Sequence, residues 1–347
     1  MKGIVALNDF VSTRGISGSS RGAHLIRAAL EGQFDVVTLT PDRIARTRLS
    51  RLSDLVLWDR RRAAKKARDA GAAAVVHLAN TGGRVAGVQS IVLMHDTMVL
   101  DHWRDFDLGY AAYARLQFGH AVRQAHRIVT PSNHSKSRIK KYWPFADVQV
   151  IPWPCPGEVT AHPLKERQAQ VLVVASADRH KRLPLAVEVL SQVRESGIKI
   201  DLHFVVRAGN GMRDFQETVN AADPESHWIK VHENLEQDEL ESLYRDSYCL
   251  MVPSLDEGYC LPAIEAARHG TPVVHADRGA LPEVVPIGDG GRREGEDDAD
   301  LLARRLKAVL SPLTWTAQSV SVQSAATARS QTTFVEEWNR LVESTLR

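Results

Sequence analysis

Short apolar runs rich in Val, Ile and Leu alternate along the chain with stretches whose apolar residues recur at helical spacing. In the first half the runs predict strands over Gly3–Leu7, Val36–Leu39, Ala74–Leu78, Ile91–Met94 and Ile128–Thr130, with helices such as Ala23–Glu31 and Ala111–Ala125 between them. Strand–helix alternation of this kind builds parallel sheets covered by helices on both faces. The run Ile-Pro-Trp-Pro-Cys-Pro-Gly from Ile151 to Gly157 then breaks the pattern. Three prolines at alternate positions fit neither a helix interior nor a central strand, so this is a linker.

After the linker the alternation restarts. Strands are predicted over Val171–Ala175, Asp201–Val206, Ile229–His232, Cys249–Val252 and Pro272–His275, and helices over Leu185–Glu195, Glu239–Ser247, Pro262–His269 and Asp300–Leu310. The stretch Thr314–Ser330, rich in Ser, Thr, Ala and Gln, reads as an irregular connection. The tail Thr332–Arg347 places Phe334, Trp338, Leu341, Val342 and Leu346 at helical spacing. The expected organisation is an N-terminal α/β domain over 1–151, a Pro-rich linker over 152–165, a second α/β domain over 166–325, and a C-terminal helix over 326–347 that packs back on the first domain. Ligands of doubly wound sheets bind beyond the carboxyl ends of the strands, so two such sheets facing each other would bind a ligand in the cleft between them.

Composition narrows the class. With 347 residues, 44% hydrophobic and 25% charged, the chain fits about two globular domains and neither a disordered nor a fibrous protein. Its 44 basic and 42 acidic residues leave a net charge of +2, so no polyanionic partner is called for overall. Three cysteines do not make a disulfide framework, no apolar run reaches the ~18 residues of a membrane span, and the N-terminus lacks the form of a signal peptide. A cytoplasmic location is expected.

The most informative stretch runs from Val252 to Glu265, Val-Pro-Ser-Leu-Asp-Glu-Gly-Tyr-Cys-Leu-Pro-Ala-Ile-Glu. An apolar strand ends at Pro253, a polar loop follows, and Pro262 opens a helix, where its missing N–H is harmless. A helix N-terminus offers free N–H groups and partial positive charge to a phosphate. Gly258 allows close backbone approach. Glu265 lies in the first helical turn, where a carboxylate can accept from a ribose diol, and Glu257 precedes the loop. The pattern suits a nucleoside diphosphate carrying a polyhydroxylated group.

This stretch resembles the E-x7-E signature of the retaining, GT-B-fold glycosyltransferase family 4. The resemblance continues through His269-Gly-Thr-Pro-Val-Val274 and Gly279-Ala-Leu-Pro-Glu283. Thr130-Pro-Ser-Asn-His-Ser-Lys136, Arg179-His-Lys-Arg-Leu183 and Met94-His-Asp96 extend it over nearly the whole chain. It implies a GT-B-like fold of two Rossmann-like, doubly wound parallel-sheet domains facing across a cleft. It implies a sugar nucleotide as donor, a glycan or lipid-linked acceptor, transfer with retention, and no metal or other cofactor. Glu265 would bind the ribose, Glu257 the donor sugar, and the backbone around Gly258, Tyr259, Cys260 and Leu261 the diphosphate. Cys260 departs from the family, which commonly has Gly there. Lys181 matches the family's leaving-group lysine. The upstream arginine is absent, since Ala175 and Ser176 stand there, so Arg179 or Arg182 is assigned its work. His95 would lie against the donor sugar, and Gly15, in the glycine-containing loop Ser12–Ser20, would reach the donor phosphate.

Residues 43–68 hold ten basic and two acidic residues, with Leu49, Leu52, Leu55, Val56 and Trp58 among them. The segment is a candidate contact for an anionic membrane surface, which would place the protein at the inner face of the membrane. Nucleic acid is not expected, because no stacking aromatic series or known motif accompanies the charge. Asp105-Phe-Asp107 has the form of a metal-binding D-x-D but reads as helix capping. Two rivals to an enzyme of this kind are a non-catalytic sugar-nucleotide-binding or scaffold protein and another GT-B-type enzyme, such as a nucleotide-sugar epimerase or a phosphorylase.

Overall fold

A computed structural model describes residues 2–10, 18–41, 56–160, 162–233 and 235–347, with the backbone alone at 18, 19, 59 and 60. The chain divides into two compact units, one formed by 1–153 together with 331–347 and the other by 154–330.

The first unit is built on six parallel strands in the order β2-β1-β3-β4-β5-β6. They are β1 (Ile4–Asn8), β2 (Asp35–Leu39), β3 (Ala74–His77), β4 (Gln89–Leu93), β5 (Arg127–Thr130) and β6 (Val148–Val150). All four residues of β3 and the last four of β1 and β4 are buried. A strand covered on both faces has no solvent side on which polar residues could alternate, so these sequences read as continuous apolar runs. Helices Gly18–Glu31, Ala63–Asp69, Leu108–Gln124 and Asn133–Tyr142 pack around the sheet. Asp107 caps the third of these, its carboxylate accepting from the Tyr110 N–H at 3.1 Å, which is the role read for the D-x-D. Ser132 caps the fourth in the same way, with 3.0 Å from the Ser135 N–H.

The second unit has five parallel strands in the order β11-β10-β7-β8-β9. They are β7 (Gln168–Ser176), β8 (Asp201–Arg207), β9 (Ile229–His232), β10 (Ser247–Val252) and β11 (Val273–His275). Helices Leu183–Glu195, Met212–Ala222, Gln237–Asp246, Leu261–Arg268, Asp298–Val309 and Pro312–Thr327 connect and cover them. The last corrects the expectation of an irregular connection over Thr314–Ser330. Pro312 stands in the first turn and is followed by four turns whose buried residues are Trp315, Gln318, Ser319, Val322 and Ala326. Polar Gln and Ser on the inward face erase the hydrophobic stripe, which is why the sequence gives no helical signal. Trp315 Nε1 donates to the Tyr248 carbonyl at 2.8 Å, and the Arg167 guanidinium lies 4.9 Å over its ring.

The C-terminal helix, Gln331–Leu346, belongs to the first unit. It packs against helix Gly18–Glu31 and buries Phe334, Trp338, Leu341 and Val342. Phe334 meets the Trp153 ring at a centroid distance of 5.8 Å.

Strand order locates the places where ligands can enter. In each sheet the chain builds outward on one side of a strand and then returns to its other side. The crevice opens where the direction reverses. In the first unit this falls between β1 and β3, at Asn8 and His77. In the second it falls between β7 and β10, beyond Ser176 and Val252.

Candidate functional site

At the β7–β10 crossover of the second unit, two loops are pinned to each other. The Leu255 N–H donates to the His180 carbonyl at 2.8 Å. The β7 loop contains a single turn, Arg179–Lys181, and then Arg182 at φ 49°, ψ 45°, a left-handed conformation that turns the chain into helix Leu183–Glu195. This turn aims Lys181 at the β10 loop. Its Nζ donates to both carboxylate oxygens of Glu257, at 2.8 and 2.9 Å. Ser254 Oγ donates to the same carboxylate at 2.6 Å. The Glu257 side chain is 9% exposed and that of Lys181 19%. Two sequence-predicted residues 76 positions apart are thus brought into one polar cluster.

Glu257 is also held by its backbone. Its carbonyl accepts from the Ala280 N–H at 2.8 Å. Gly279, at φ 61°, lies so close that a Cβ there would collide with the Glu257 backbone. Here glycine is needed both for its conformation and for the close approach.

Gly258, Tyr259 and Cys260 complete the turn, and Leu261 begins helix Leu261–Arg268. Cys260 sits at φ 78°, ψ 78°, a conformation that disfavours any residue with a Cβ. The glycine expected there by resemblance is therefore a conformational requirement that this chain meets with a cysteine. Burial raises the Cys260 thiol far above its ordinary pKa, and the nearby Glu257 carboxylate adds to the effect. The thiol stays protonated and inert. At the start of this helix Pro262 has no N–H and the Ala263 N–H donates to the Cys260 carbonyl at 3.1 Å, and the positive end of the helix dipole lies at the turn that carries Glu257.

Glu265 is 5% exposed on that helix. The Tyr244 hydroxyl, fully buried, donates to its Oε2 at 2.8 Å. Tyr244 itself is fixed through its main chain. The Thr271 hydroxyl donates to its carbonyl at 2.6 Å, and Arg167 donates to Thr271 Oγ1, also at 2.6 Å. Sequence reasoning found Glu265 but missed Tyr244, because the two are joined by a contact between neighbouring helices and not by a local spacing.

The two arginines assigned to the phosphate differ in their surroundings. Arg179 is 58% exposed and lies 4.0 Å from Asp214, with its N–H donating to Asn210 Oδ1 at 2.9 Å. Arg182 points into the protein. It donates to the Pro253 and Ser254 carbonyls at 2.8 and 3.3 Å and pairs with Asp298 at 2.6 Å. Asp298 also takes Arg278, at 3.0 Å, and Arg292. Burial alone would raise the Asp298 pKa. Hydrogen bonds from Arg278, Arg182 and Arg292 overcome it and bring the value down to about 2. Arg182 thus fastens the β10 loop to the start of helix Asp298–Val309. Asp298 and Arg278 carried no motif by which the sequence could have revealed them.

In the first unit, His95 follows β4. Its N–H donates to Asn80 Oδ1 at 2.6 Å, and its Nε2 lies 3.1 Å from the Leu78 carbonyl. A carbonyl only accepts, so Nε2 carries the proton and Nδ1 is left with its lone pair. The ring stacks on Trp153 at 6.0 Å and 27°. Burial lowers the His95 pKa, against the Leu78 hydrogen bond and the Asp96 charge. The His95 carbonyl accepts from Ser135 Oγ at 3.1 Å, which joins it to the cap of helix Asn133–Tyr142. At the β1–β3 crossover, Asn8 Oδ1 accepts from Trp58 Nε1 at 2.7 Å, and Asn8 Nδ2 lies 2.9 Å from His77 Nδ1. His77 is fully buried, and burial lowers its pKa to about 4.

Gly15 and residues 43–55 of the basic segment lie outside the described residues. Trp58, read as an apolar membrane contact, is 2% exposed and packs in the core with Ala63, Ala64 and Ala67. Its indole is committed to Asn8, so it offers nothing to a membrane. Among the described residues, no helix is long and apolar enough to cross a bilayer, and no group of three His, Cys, Asp or Glu is placed to hold a metal ion.

Comparison with known proteins places this architecture. The sucrose-phosphate synthase of Thermosynechococcus elongatus aligns over 99% of both chains with a TM-score of 0.77 at 17% identity. Anabaena HepE, crystallised with UDP and glucose, aligns over 99% of this chain and 100% of its own with a TM-score of 0.73 at 14% identity. The fold is that of the GT-B class, two parallel-sheet α/β domains. Residues 158–312, the segment that carries Lys181, Glu257 and Glu265, match the family model for glycosyl transferases group 1. Within the curated relatives, MMP alpha-(1->4)-mannosyltransferase of Mycolicibacterium hassiacum is 40% identical over 83 residues, 24% of this chain and 20% of that protein. O-antigen chain mannosyltransferase B of Escherichia coli is 33% identical over 88 residues, 25% of this chain and 23% of that protein. The chain therefore matches less than a quarter of the length of each of these two relatives.

Proposed function

We propose that the protein is a glycosyltransferase that moves a sugar from a sugar nucleotide to an acceptor hydroxyl with retention of configuration. The observation that carries this reading is the Lys181–Glu257 pair at the β7–β10 crossover, beside the N-terminus of helix Leu261–Arg268. A diphosphate at that helix end meets the positive partial charge of the helix dipole. Lys181 supplies the full positive charge that a departing nucleoside diphosphate requires, and such stabilisation of developing charge is a large term in transfer reactions. Glu257 is then exchanged from its ion pair to the hydroxyls of the donor sugar. Glu265, oriented by Tyr244, accepts from the ribose diol.

Retention is read as front-face attack, in which the leaving phosphate takes the proton of the acceptor hydroxyl. The carboxylate of Glu257, bound by a lysine and a serine, is a hydrogen-bond acceptor for sugar hydroxyls and not a free nucleophile. With Lys181 and the helix end neutralising the phosphate, the scheme needs no metal. Arg179, whose side chain is largely exposed, is assigned to the phosphate, whereas Arg182 holds the loop. In the first unit, His95 is half-buried and presents a lone pair at Nδ1, which suits it to accept from a sugar hydroxyl. The acceptor is assigned to this unit, at the β1–β3 crossover. A glycan acceptor is in keeping with the name of the O-antigen chain mannosyltransferase, and a lipid-linked one rests on the sequence resemblance alone.

The test is a thermal-shift screen against UDP-, GDP-, ADP- and TDP-sugars, followed by assay of nucleotide release. One donor should stabilise the fold and be slowly hydrolysed without acceptor. Stabilisation without any release identifies a binding protein and removes the catalytic reading. No shift with any donor removes the site.

A further inference from the structure

The first unit carries an exposed face that neither sheet nor candidate site uses. Helices Leu108–Gln124 and Asn133–Tyr142 share one core, in which Ala111, Ala114, Phe118 and Val122 meet Ile139 and Trp143. Asp101, two residues before Trp103, accepts from Arg138 and from the Tyr142 hydroxyl, which joins the approach to the first helix with the end of the second at the surface. On it Trp103 is 46% exposed, Leu108 68%, Leu116 69% and Phe145 65%, with Tyr110 and Tyr142 at its edges. Isolated exposed apolar side chains are ordinary, but a cluster of this size marks a binding surface.

The charge around these residues is one-sided. Residues 98–147 hold eight basic and four acidic side chains, a net charge of +4 within a chain of +2. Asp101 pairs with Arg138 and accepts from Tyr142, Asp107 caps its helix, and Asp147 pairs with Arg127. Lys140, Lys141 and Arg115 stand exposed among the apolar groups. Long basic side chains beside Trp, Tyr and Leu can lower their stems into an apolar layer while their charges stay at its polar boundary.

We infer that this face, formed by residues 103–116 and 140–145, docks the protein on an anionic phospholipid surface. Charge complementarity selects the occupant. A second copy of the chain meeting this face through a two-fold axis would set lysines and arginines against themselves, whereas an anionic bilayer attracts them and takes up the apolar groups. The inference moves the expected membrane contact from residues 43–68, where Trp58 is buried, to a face whose apolar groups are available. It does not depend on the donor site.

The full chain should float with phosphatidylcholine vesicles that contain phosphatidylglycerol and stay behind with phosphatidylcholine alone, and added salt should release it. Leu108→Ser with Leu116→Ser, and separately Lys140→Glu with Lys141→Glu, should each weaken binding at least tenfold while the melting temperature and donor affinity hold. These positions are exposed, so an intact melt confirms that the variants fold. Four results overturn the inference. The wild-type chain does not bind anionic vesicles at low salt; both double variants bind as wild type; only Arg61→Glu with Lys65→Glu abolishes binding; or the wild-type chain sediments as a dimer that the serine variant dissociates.

Discussion

Lys181 and Glu257, 76 residues apart, meet as a bidentate ion pair whose carboxylate is nine-tenths buried. Replacing either partner leaves the other with an unmatched charge in a poorly hydrated place. Lys181→Ala and Glu257→Ala should each lower stability by about 1–3 kcal/mol. The double variant should be less unstable than their sum, with a coupling of about 1–3 kcal/mol in a denaturant cycle. In activity, Lys181→Ala should lower kcat more than donor affinity, since its charge matters most when the phosphate departs. Additive stabilities would show that the pair does not act as a unit, and wild-type turnover would remove Lys181 from the reaction.

Tyr244 holds one oxygen of Glu265 and leaves the orientation of the other fixed by geometry. Glu265→Ala should weaken nucleotide binding about tenfold or more, the scale of a charge-assisted hydrogen bond. Tyr244→Phe should weaken it about threefold, with kcat little changed. Calorimetric titration of the nucleoside diphosphate reads both. Unchanged affinity in Glu265→Ala removes the ribose role.

Cys260 adopts a backbone conformation in which a Cβ is strained. Cys260→Gly should relieve that strain and raise stability by about 1 kcal/mol, less the entropy that glycine adds to the unfolded chain. Thermal melting checks the sign. A fall in melting temperature would mean that the packing of the thiol outweighs the strain.

Acid should unfold the protein in two stages. His77 is buried as the neutral base with its pKa lowered to about 4. Between its unfolded value near 6.5 and about 4, the unfolded state binds the extra proton, so stability falls as pH drops through that window, by about 3 kcal/mol for this residue. Asp298, lowered to about 2, works over the range beneath. Its contribution is complete above about pH 4 and fades as pH falls toward 2, since the unfolded carboxyl protonates first. His203 and His275, also lowered by burial to about 4, share the upper stage, so His77→Gln should reduce that stage without abolishing it, and Asp298→Asn should reduce the lower. Asp298→Asn should also loosen the β10 loop, because Arg182, Arg278 and Arg292 lose their common charge.

The sequence disclosed the parts of this molecule that repeat a local pattern. Buried parallel strands announce themselves as apolar runs, and the strand–loop–helix from Val252 to Glu265 carries its own grammar of Pro, Gly and Glu. What it hid are relations set by tertiary contact. Nothing near Asp298 marks it as the acceptor of three arginines drawn from three loops. Nothing in Trp58 distinguishes a core indole bound to Asn8 from a surface one, because its neighbours Arg60, Arg61 and Arg62 make the segment look exposed. Helix Pro312–Thr327 was obscured because it buries Gln318 and Ser319, so that its two faces are alike in polarity.

The last sixteen residues of helix, Gln331–Leu346, complete a unit whose other part ends at Trp153. A gene fragment that stops at the proline run therefore encodes an unfinished body. It would leave the Trp153 indole and the flank of helix Gly18–Glu31 bare, and such a fragment should aggregate unless the missing peptide is supplied in trans. Ribosomal order matters for the same reason: the portion up to Trp153 must wait until residues 331–347 have been synthesised before its surface is closed.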